Sequence, residues 1–428
     1  MEPLNLAAAV DRTGSLSAKW NRELITLFCN NPDATPHWVA DMDFPAPQAV
    51  LDALAAQAKH GVLGYPYFDS IEQVFCEWVA SRHQWKVEPS RVVTAPGMLA
   101  SIAMLIELHS KEGDGIILPM PAYKPFIGII HDLNRRAIAW PMRYDAHRSR
   151  FALEAGTLDE LARDGAHPVL LLCSPHNPAG RVFLAEELQE IATIAREHDL
   201  MVISDEIHAD LTYEGRRHIP FDTLARKNGI RCATCMAPSK TFNIAGEHVS
   251  MVVCSDTRMR TALARRQRAL HVGPDLLATV TAIAAYQGGA AWLDTMRTHL
   301  ATQATNIART LAESGTGLRF VTPEASFIGL IDCTPIMDLV ERDAAAHPRL
   351  YDPRTSSEGG LLSRFFGQRA GIAMNDGSWF GTPYRNFVRF NFGTTKRAVD
   401  HAIEAIIAAV RRLQSTQDAQ HREDSRSH

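Results

Sequence analysis

Residues 237–246 read APSKTFNIAG: an apolar run ends on Lys240, boxed in by Ser239 and Thr241, with Gly246 six residues on. An ammonium is costly to bury, so a lysine that closes a buried strand needs a partner or a chemical use. On either side the chain alternates. Short apolar runs at Arg91–Ala95, Gly115–Pro119, Ala137–Pro141, Val169–Cys173, Met201–Ser204, Cys232–Met236 and Val249–Cys254 are separated by helix-like segments such as Leu99–Leu108 and Ala185–Glu197. Runs this apolar suit strands covered on both faces, and alternation with helices predicts a mostly parallel sheet. The last two runs stand close together, which predicts one antiparallel strand there. From about Ala290 the pattern changes to a long helix, short strands near Leu318–Val321 and Phe327–Asp332, and a final helix over Arg397–Leu413. The expected division is an N-terminal segment (1–50) that joins the smaller lobe, a large α/β domain (51–290), a small α+β domain (291–414) and a polar, disordered tail (415–428).

The 428 residues are 46% hydrophobic, enough for a sizeable core, and the formal net charge of −4 gives no case for nucleic acid or an anionic membrane as partner. No apolar stretch approaches a membrane span, and MEPLNLAAAVDRTG lacks the basic start of a signal peptide, so a cytoplasmic location is expected. The scattered, odd set of cysteines suits a reducing compartment. Cys232 and Cys235 form a C-x-x-C, but no second pair follows at zinc spacing, so both are expected to be strand side chains and no metal is expected. The basic run Arg265-Arg266-Gln267-Arg268 reads as a solvated helix face.

Ligands of open α/β sheets bind at the carboxyl ends of the strands, so the residues after each run matter most. They are PGMLAS with Gly97, Met98 and Leu99 opening a helix, MPAYKPF with Tyr123, SPHNPAG with Asn177, DEIHADL with Asp205 and His208, and the Lys240 stretch. Each has an ordinary reading: a strand–helix turn, a rim aromatic, a turn amide, an N-cap, a surface lysine. Their convergence on one sheet edge does not. Together they fit pyridoxal 5′-phosphate, which needs a lysine for a Schiff base and a carboxylate facing its ring nitrogen. In that reading Lys240 is the reactive amine and Asp205 holds the ring nitrogen protonated. Asn177 donates to the ring oxygen, Tyr123 covers a ring face beside the chemistry, and Gly97–Leu99 present N–H groups to the phosphate. His208 is a further candidate contact.

The sequence strongly resembles fold-type I pyridoxal-phosphate enzymes of the class I/II aminotransferase superfamily, and more narrowly the cystathionine β-lyase-type C–S lyases of the MalY/PatB group. The resemblance runs from Trp38 to the final helix. It rests on WVADMDFPAP (Trp38–Pro47), GYPYFD (Gly64–Asp69), SPHNPAGRVF (Ser174–Phe183), SDEIHADL (Ser204–Leu211), APSKTFNIAG and VRFNFG (Val388–Gly393). It implies a mostly parallel seven-stranded sheet sandwiched by helices, and a homodimer with shared active sites. It implies that Tyr65 reaches the partner subunit's cofactor phosphate and the substrate, that Ser239 touches the phosphate, and that Arg389, just ahead of the final helix, grips the substrate carboxylate alongside Asn177.

Two positions depart from the pattern. The group usually continues the lysine motif with AGLQ, whereas Glu247 and His248 follow Gly246 here. Many relatives carry a phosphate-binding serine three residues before the lysine and an arginine eight after it; these positions are Ala237 and His248. His248 is accordingly a candidate phosphate ligand, with an interface role for the pair as the other reading. The implied reaction is α,β-elimination from L-cystathionine or an S-substituted L-cysteine, giving thiol, pyruvate and ammonia. Transamination, decarboxylation or an oxygen-dependent reaction on the same scaffold are the alternatives, and a regulatory protein contact is a further possibility that no surface motif marks.

Overall fold

The computed structural model describes residues 4–67, 70–163, 165–353 and 358–424. Its centre is a seven-stranded sheet of β1 (Val92–Ala95), β2 (Gly115–Met120), β3 (Arg136–Pro141), β4 (Val169–Cys173), β5 (Met201–Asp205), β6 (Cys232–Met236) and β7 (Ser250–Cys254), ordered β1-β7-β6-β5-β4-β2-β3. All pairings are parallel except those of β7, which runs antiparallel to both β1 and β6. The apolar runs form these strands because each side chain has a covered face to enter. On β4, Leu170 and Leu172 join one core while Val169, Leu171 and Cys173 join the core on the opposite face. Helix α1 (Met98–His109) covers the second of these faces and α2 (Ala185–Glu197) the first. Cys232 and Cys235 fall on opposite faces for the same reason, three residues apart on a strand with a period of two, so they cannot share an ion. Among the described residues no cluster of potential ligands suits a metal.

The antiparallel β7 matters for the site. Its first residue, Ser250, pairs with the last of β1, Ala95. The chain just before β7, with Glu247 and His248, therefore lies at the carboxyl edge next to Gly97.

After a long helix, α3 (Ala290–Glu313), comes a four-stranded antiparallel sheet of β8 (Arg319–Val321), β9 (Ile328–Asp332), β10 (Asn375–Asp376) and β11 (Phe387–Asn391), ordered β8-β9-β11-β10. The placement of Arg389 ahead of the final helix omitted this strand. FVRFN is a strand because its period-two pattern satisfies two faces: Val388 and Phe390 enter the main core, and Arg389 and Asn391 point to polar partners. Thr35 and Pro36 pair in parallel with Ile372 and Ala373, tying the N-terminal segment to the C-terminal part. The final helix, α4 (Lys396–Asp424), passes its expected end at Leu413. Residues 414–424 are thus helical rather than a disordered tail, since QSTQDAQHRED has neither glycine nor proline to stop the helix. The rest of the expected tail, 425–428, lies outside the described residues. No single helix among the described residues is long and apolar enough to cross a membrane.

Candidate active site

Cys173, Asp205 and Cys235 are register neighbours at the carboxyl ends of β4, β5 and β6. Above them opens a pocket of about 310 Å³, lined among others by Gly97, Met98, Leu99, Tyr123, Asn177, Asp205, His208, Ser239, Lys240, Glu247 and His248. The structure thus brings together all but two of the site residues expected from the sequence. Arg389 touches the pocket through Asn177. Tyr65 does not line it. It stands at 105% relative exposure, near the exposed Val62, Leu63 and Tyr67; Phe68 and Asp69 of the same motif lie outside the described residues.

One wall is the start of α1. Gly97 precedes it with φ +97°, a left-handed value that favours glycine, and a Cβ there would stand 3.4 Å from that of His248. No side chain among the described residues caps α1, and its first turn, Met98–Ala100, lines the pocket, so its first N–H groups are available there. Opposite, the short helix Pro238–Thr241 carries Lys240, whose Nζ donates to the Ala40 carbonyl at 2.6 Å. Burial brings the Lys240 amine down to about 8, with Asp41 pulling upward and Arg389 downward. Asp205 is buried and accepts the Ile207 N–H at 3.1 Å. Burial raises its carboxyl to about 7, and it has no ion-pair partner among the described residues. Burial also holds the Tyr123 hydroxyl above its ordinary range.

Arg389 is 5% exposed and has no carboxylate partner among the described residues. Its Nη1 donates to Asn177 Oδ1 at 3.2 Å, and its Nη2 to Asn375 Oδ1 at 2.7 Å and the Trp38 carbonyl at 2.9 Å. Its Nε is buried without a hydrogen bond, and burial lowers the guanidinium to about 10. The Phe380 ring lies 5.1 Å beneath.

The stretch WVADMDFPAP has a structural role that the resemblance alone does not show. Residues 38–44 form a strap across the site. Arg389 binds the carbonyl of Trp38, Asn391 those of Val39 and Asp41, and Lys240 that of Ala40. Asn243, in the lysine stretch itself, accepts the Met42 N–H at 2.8 Å and donates to the Phe44 carbonyl at 2.7 Å. The strap is anchored by buried Asp43, which takes both oxygens to Lys19 Nζ at 2.9 Å and one to Arg12 at 3.1 Å. The paired acids of ADMDF were the available signal, since two aspartates beside apolar residues need cationic partners.

The chain is similar to known proteins over nearly its whole length. Cystathionine beta-lyase PatB of Bacillus subtilis is 29% identical over 95% of this chain and 100% of its own length. Protein MalY of Escherichia coli is 27% identical over 95% of this chain and 99% of its own. The crystal structure of cystalysin from Treponema denticola, which contains pyridoxal 5′-phosphate, superposes with a TM-score of 0.85 at 25% identity, covering 96% of this chain and 100% of that one. The aminotransferase class I and II family matches residues 39–406, most of the chain and every element of the pocket, and the chain belongs to that family.

Proposed function

We propose that this protein is a pyridoxal 5′-phosphate-dependent C–S β-lyase that cleaves L-cystathionine or an S-substituted L-cysteine to thiol, pyruvate and ammonia. One observation carries the reading. A single pocket gathers a lysine near neutrality, a buried unpaired carboxylate, uncapped helix N–H groups and, through Asn177, a guanidinium without a carboxylate. Those groups fit a ligand that carries a phosphate, an aromatic ring nitrogen and an aldehyde, followed by an amino acid carboxylate. The relatives named as cystathionine β-lyases support the lyase chemistry.

The residues divide the work. Gly97, Met98, Leu99, Ser239 and His248 would hold the phosphate, Asp205 would keep a proton on the ring nitrogen, and Asn177, His208 and Tyr123 would bind the ring. When bound, the cofactor supplies an electron sink that acidifies the Cα–H of an amino acid. Arg389 binds the substrate carboxylate with a planar fork whose orientation is set by Asn177 and Asn375. That grip fixes which Cα bond faces Lys240. Lys240, with its amine near 8, takes the Cα proton as general base while the Cβ–S bond breaks and sulfur leaves as thiolate. Released 2-aminoacrylate takes up water to give pyruvate and ammonia.

We further infer a homodimer. The exposed Val62, Leu63, Tyr65 and Tyr67 are an apolar segment that a second copy would cover, with Tyr65 then at the partner's phosphate. The seven buried, free cysteines suit a cytoplasmic setting. Product analysis over a panel of S-substituted cysteines tests the function. Stoichiometric pyruvate and thiol are expected. A keto acid formed only with an acceptor would make the protein an aminotransferase instead.

A further inference from the structure

Ser326 holds a backbone conformation that favours glycine. Its φ is +77°, and the residue is buried. The segment around it is pinned to the chain that follows Asp205. The Ser326 N–H donates to the Leu211 carbonyl at 3.0 Å, the Tyr213 N–H donates to Glu324 at 3.0 Å, Ala325 bridges Thr212, and the Tyr213 hydroxyl donates to the Ser326 carbonyl. Backbone strain of this kind persists only where its surroundings over-determine it, and it clusters at functional sites.

The strained residue presents one group to the site. Ser326 Oγ lies 3.1 Å from Nδ1 of His208, which lines the pocket with Asn177, Asp205 and Lys240. The Phe327 ring meets the imidazole edge-on, with centroids 6.3 Å apart. Burial, with Lys240 and Arg389 nearby, holds His208 down to about 3, so the ring is neutral and carries one proton. Its Nε2 has no hydrogen-bond partner among the described residues.

We propose that Ser326 is a positioning residue whose hydroxyl donates to His208 Nδ1, leaving the ring proton on Nε2 as a fixed donor to an oxygen of the bound cofactor or substrate. The direction follows from the pocket's charge. Lys240, Arg389 and the helix N–H groups equip it for anionic oxygens, which an N–H serves and a lone pair repels. The proposal rests on the pyridoxal 5′-phosphate-dependent function above and adds to it a residue from the second sheet's approach that touches no ligand itself.

Ser326→Gly is the informative variant, because glycine adopts φ +77° without strain while removing the hydroxyl. The expected result is unchanged thermal stability of the cofactor-stripped protein, a shifted visible absorption band in the loaded one, and binding of pyridoxal 5′-phosphate to the stripped protein weakened up to about tenfold, the size of one lost hydrogen bond. In a His208→Ala background the same substitution should have no effect. Ser326→Asn, which tolerates the left-handed region and retains a donor, should recover part of the affinity. Wild-type affinity and spectrum in Ser326→Gly, an equal loss in the His208→Ala background, or loss of thermal stability in the cofactor-stripped Ser326→Gly protein would each overturn the proposal. Wild-type protein that takes up no pyridoxal 5′-phosphate would instead overturn the function on which it rests.

Discussion

Replacing Asp205 by asparagine should stabilise the cofactor-stripped protein and cripple the loaded enzyme. The carboxylate sits at the end of β5, 3% exposed, with the Ile207 N–H as its hydrogen-bond donor. Burial is the main cause of its rise from 3.8 to about 7; the neighbouring Glu206 adds to the rise and the Ile207 N–H opposes it. Between those two values the folded state binds the proton more tightly than the unfolded state, so stability falls as pH rises through this window. The penalty is absent below 3.8 and complete above about 7. At 1.36 kcal/mol for each unit of pKa difference it is on the order of 4 kcal/mol. Asparagine carries no charge, so the variant's advantage should open across that window and then level off. Lys240, lowered to about 8, contributes the opposite slope only above that pH. Calorimetric unfolding of both stripped proteins at several pH values from 5 to about 8, the stretch below the Lys240 titration, isolates the effect. A stability difference that does not change with pH would refute the reasoning. In the loaded enzyme the same substitution removes a charge-assisted bond worth about 1.5–3 kcal/mol, so turnover should fall by one to two decades or more. Turnover within twofold of wild type would contradict the role given to Asp205.

Lys240→Ala should bind pyridoxal 5′-phosphate without attaching it; borohydride reduction followed by mass spectrometry should find the adduct on the wild type alone, and turnover should be lost. Arg389→Lys should raise KM by about ten- to a hundredfold, since one ammonium cannot hold Asn177, Asn375 and a substrate carboxylate together. Inhibition by a carboxylate-free amine should barely change, and an unchanged KM would make Arg389 structural. His248→Arg should place a permanent fork beside Gly97 and tighten cofactor binding about ten- to a hundredfold, the range of one charge-assisted hydrogen bond. Equal affinity in equilibrium titration would move Glu247 and His248 to an interface role.

Most of the large sheet was legible because its strands are buried on both faces. A run such as VLLLC at 169–173 has no surface alternative, and the structure places that strand on the same residues. The pocket residues at the strand ends were legible for a related reason: a lysine and an aspartate that close apolar runs conflict with burial unless they have a partner or a use. The smaller sheet was harder. Its strand Phe387–Asn391 has a charge at its centre, and only the three-dimensional neighbours Asn177, Asn375 and Trp38 show how that charge is accommodated. Ser326 gave no signal at all, because nothing in EASFIG marks a left-handed serine.

The way this chain accommodates buried charge supports the same site independently of any likeness. Away from the pocket, several buried charged groups meet partners of opposite or potential sign, while buried Asp332 and Asp376 are each held by more than one N–H or O–H donor. Lys19 holds Asp43 at 2.9 Å, His218 meets Glu206 at 2.6 Å, and His83 meets Asp210 at 2.7 Å. Glu206 and Asp210 belong to the same short stretch as Asp205, so the local fold can evidently supply partners to its acids. At the pocket it does not. Asp205 has a backbone N–H, Arg389 has two amide oxygens and a carbonyl, and Lys240 has a carbonyl. Unpaired buried charge destabilises a fold by several kcal/mol per group, and structural roles do not require it. Three such groups around one cavity are explained by a ligand that brings a cationic ring nitrogen to Asp205, a carboxylate to Arg389 and an electrophilic carbon to Lys240. A ligand with fewer than these three functions would leave at least one of the charges uncompensated.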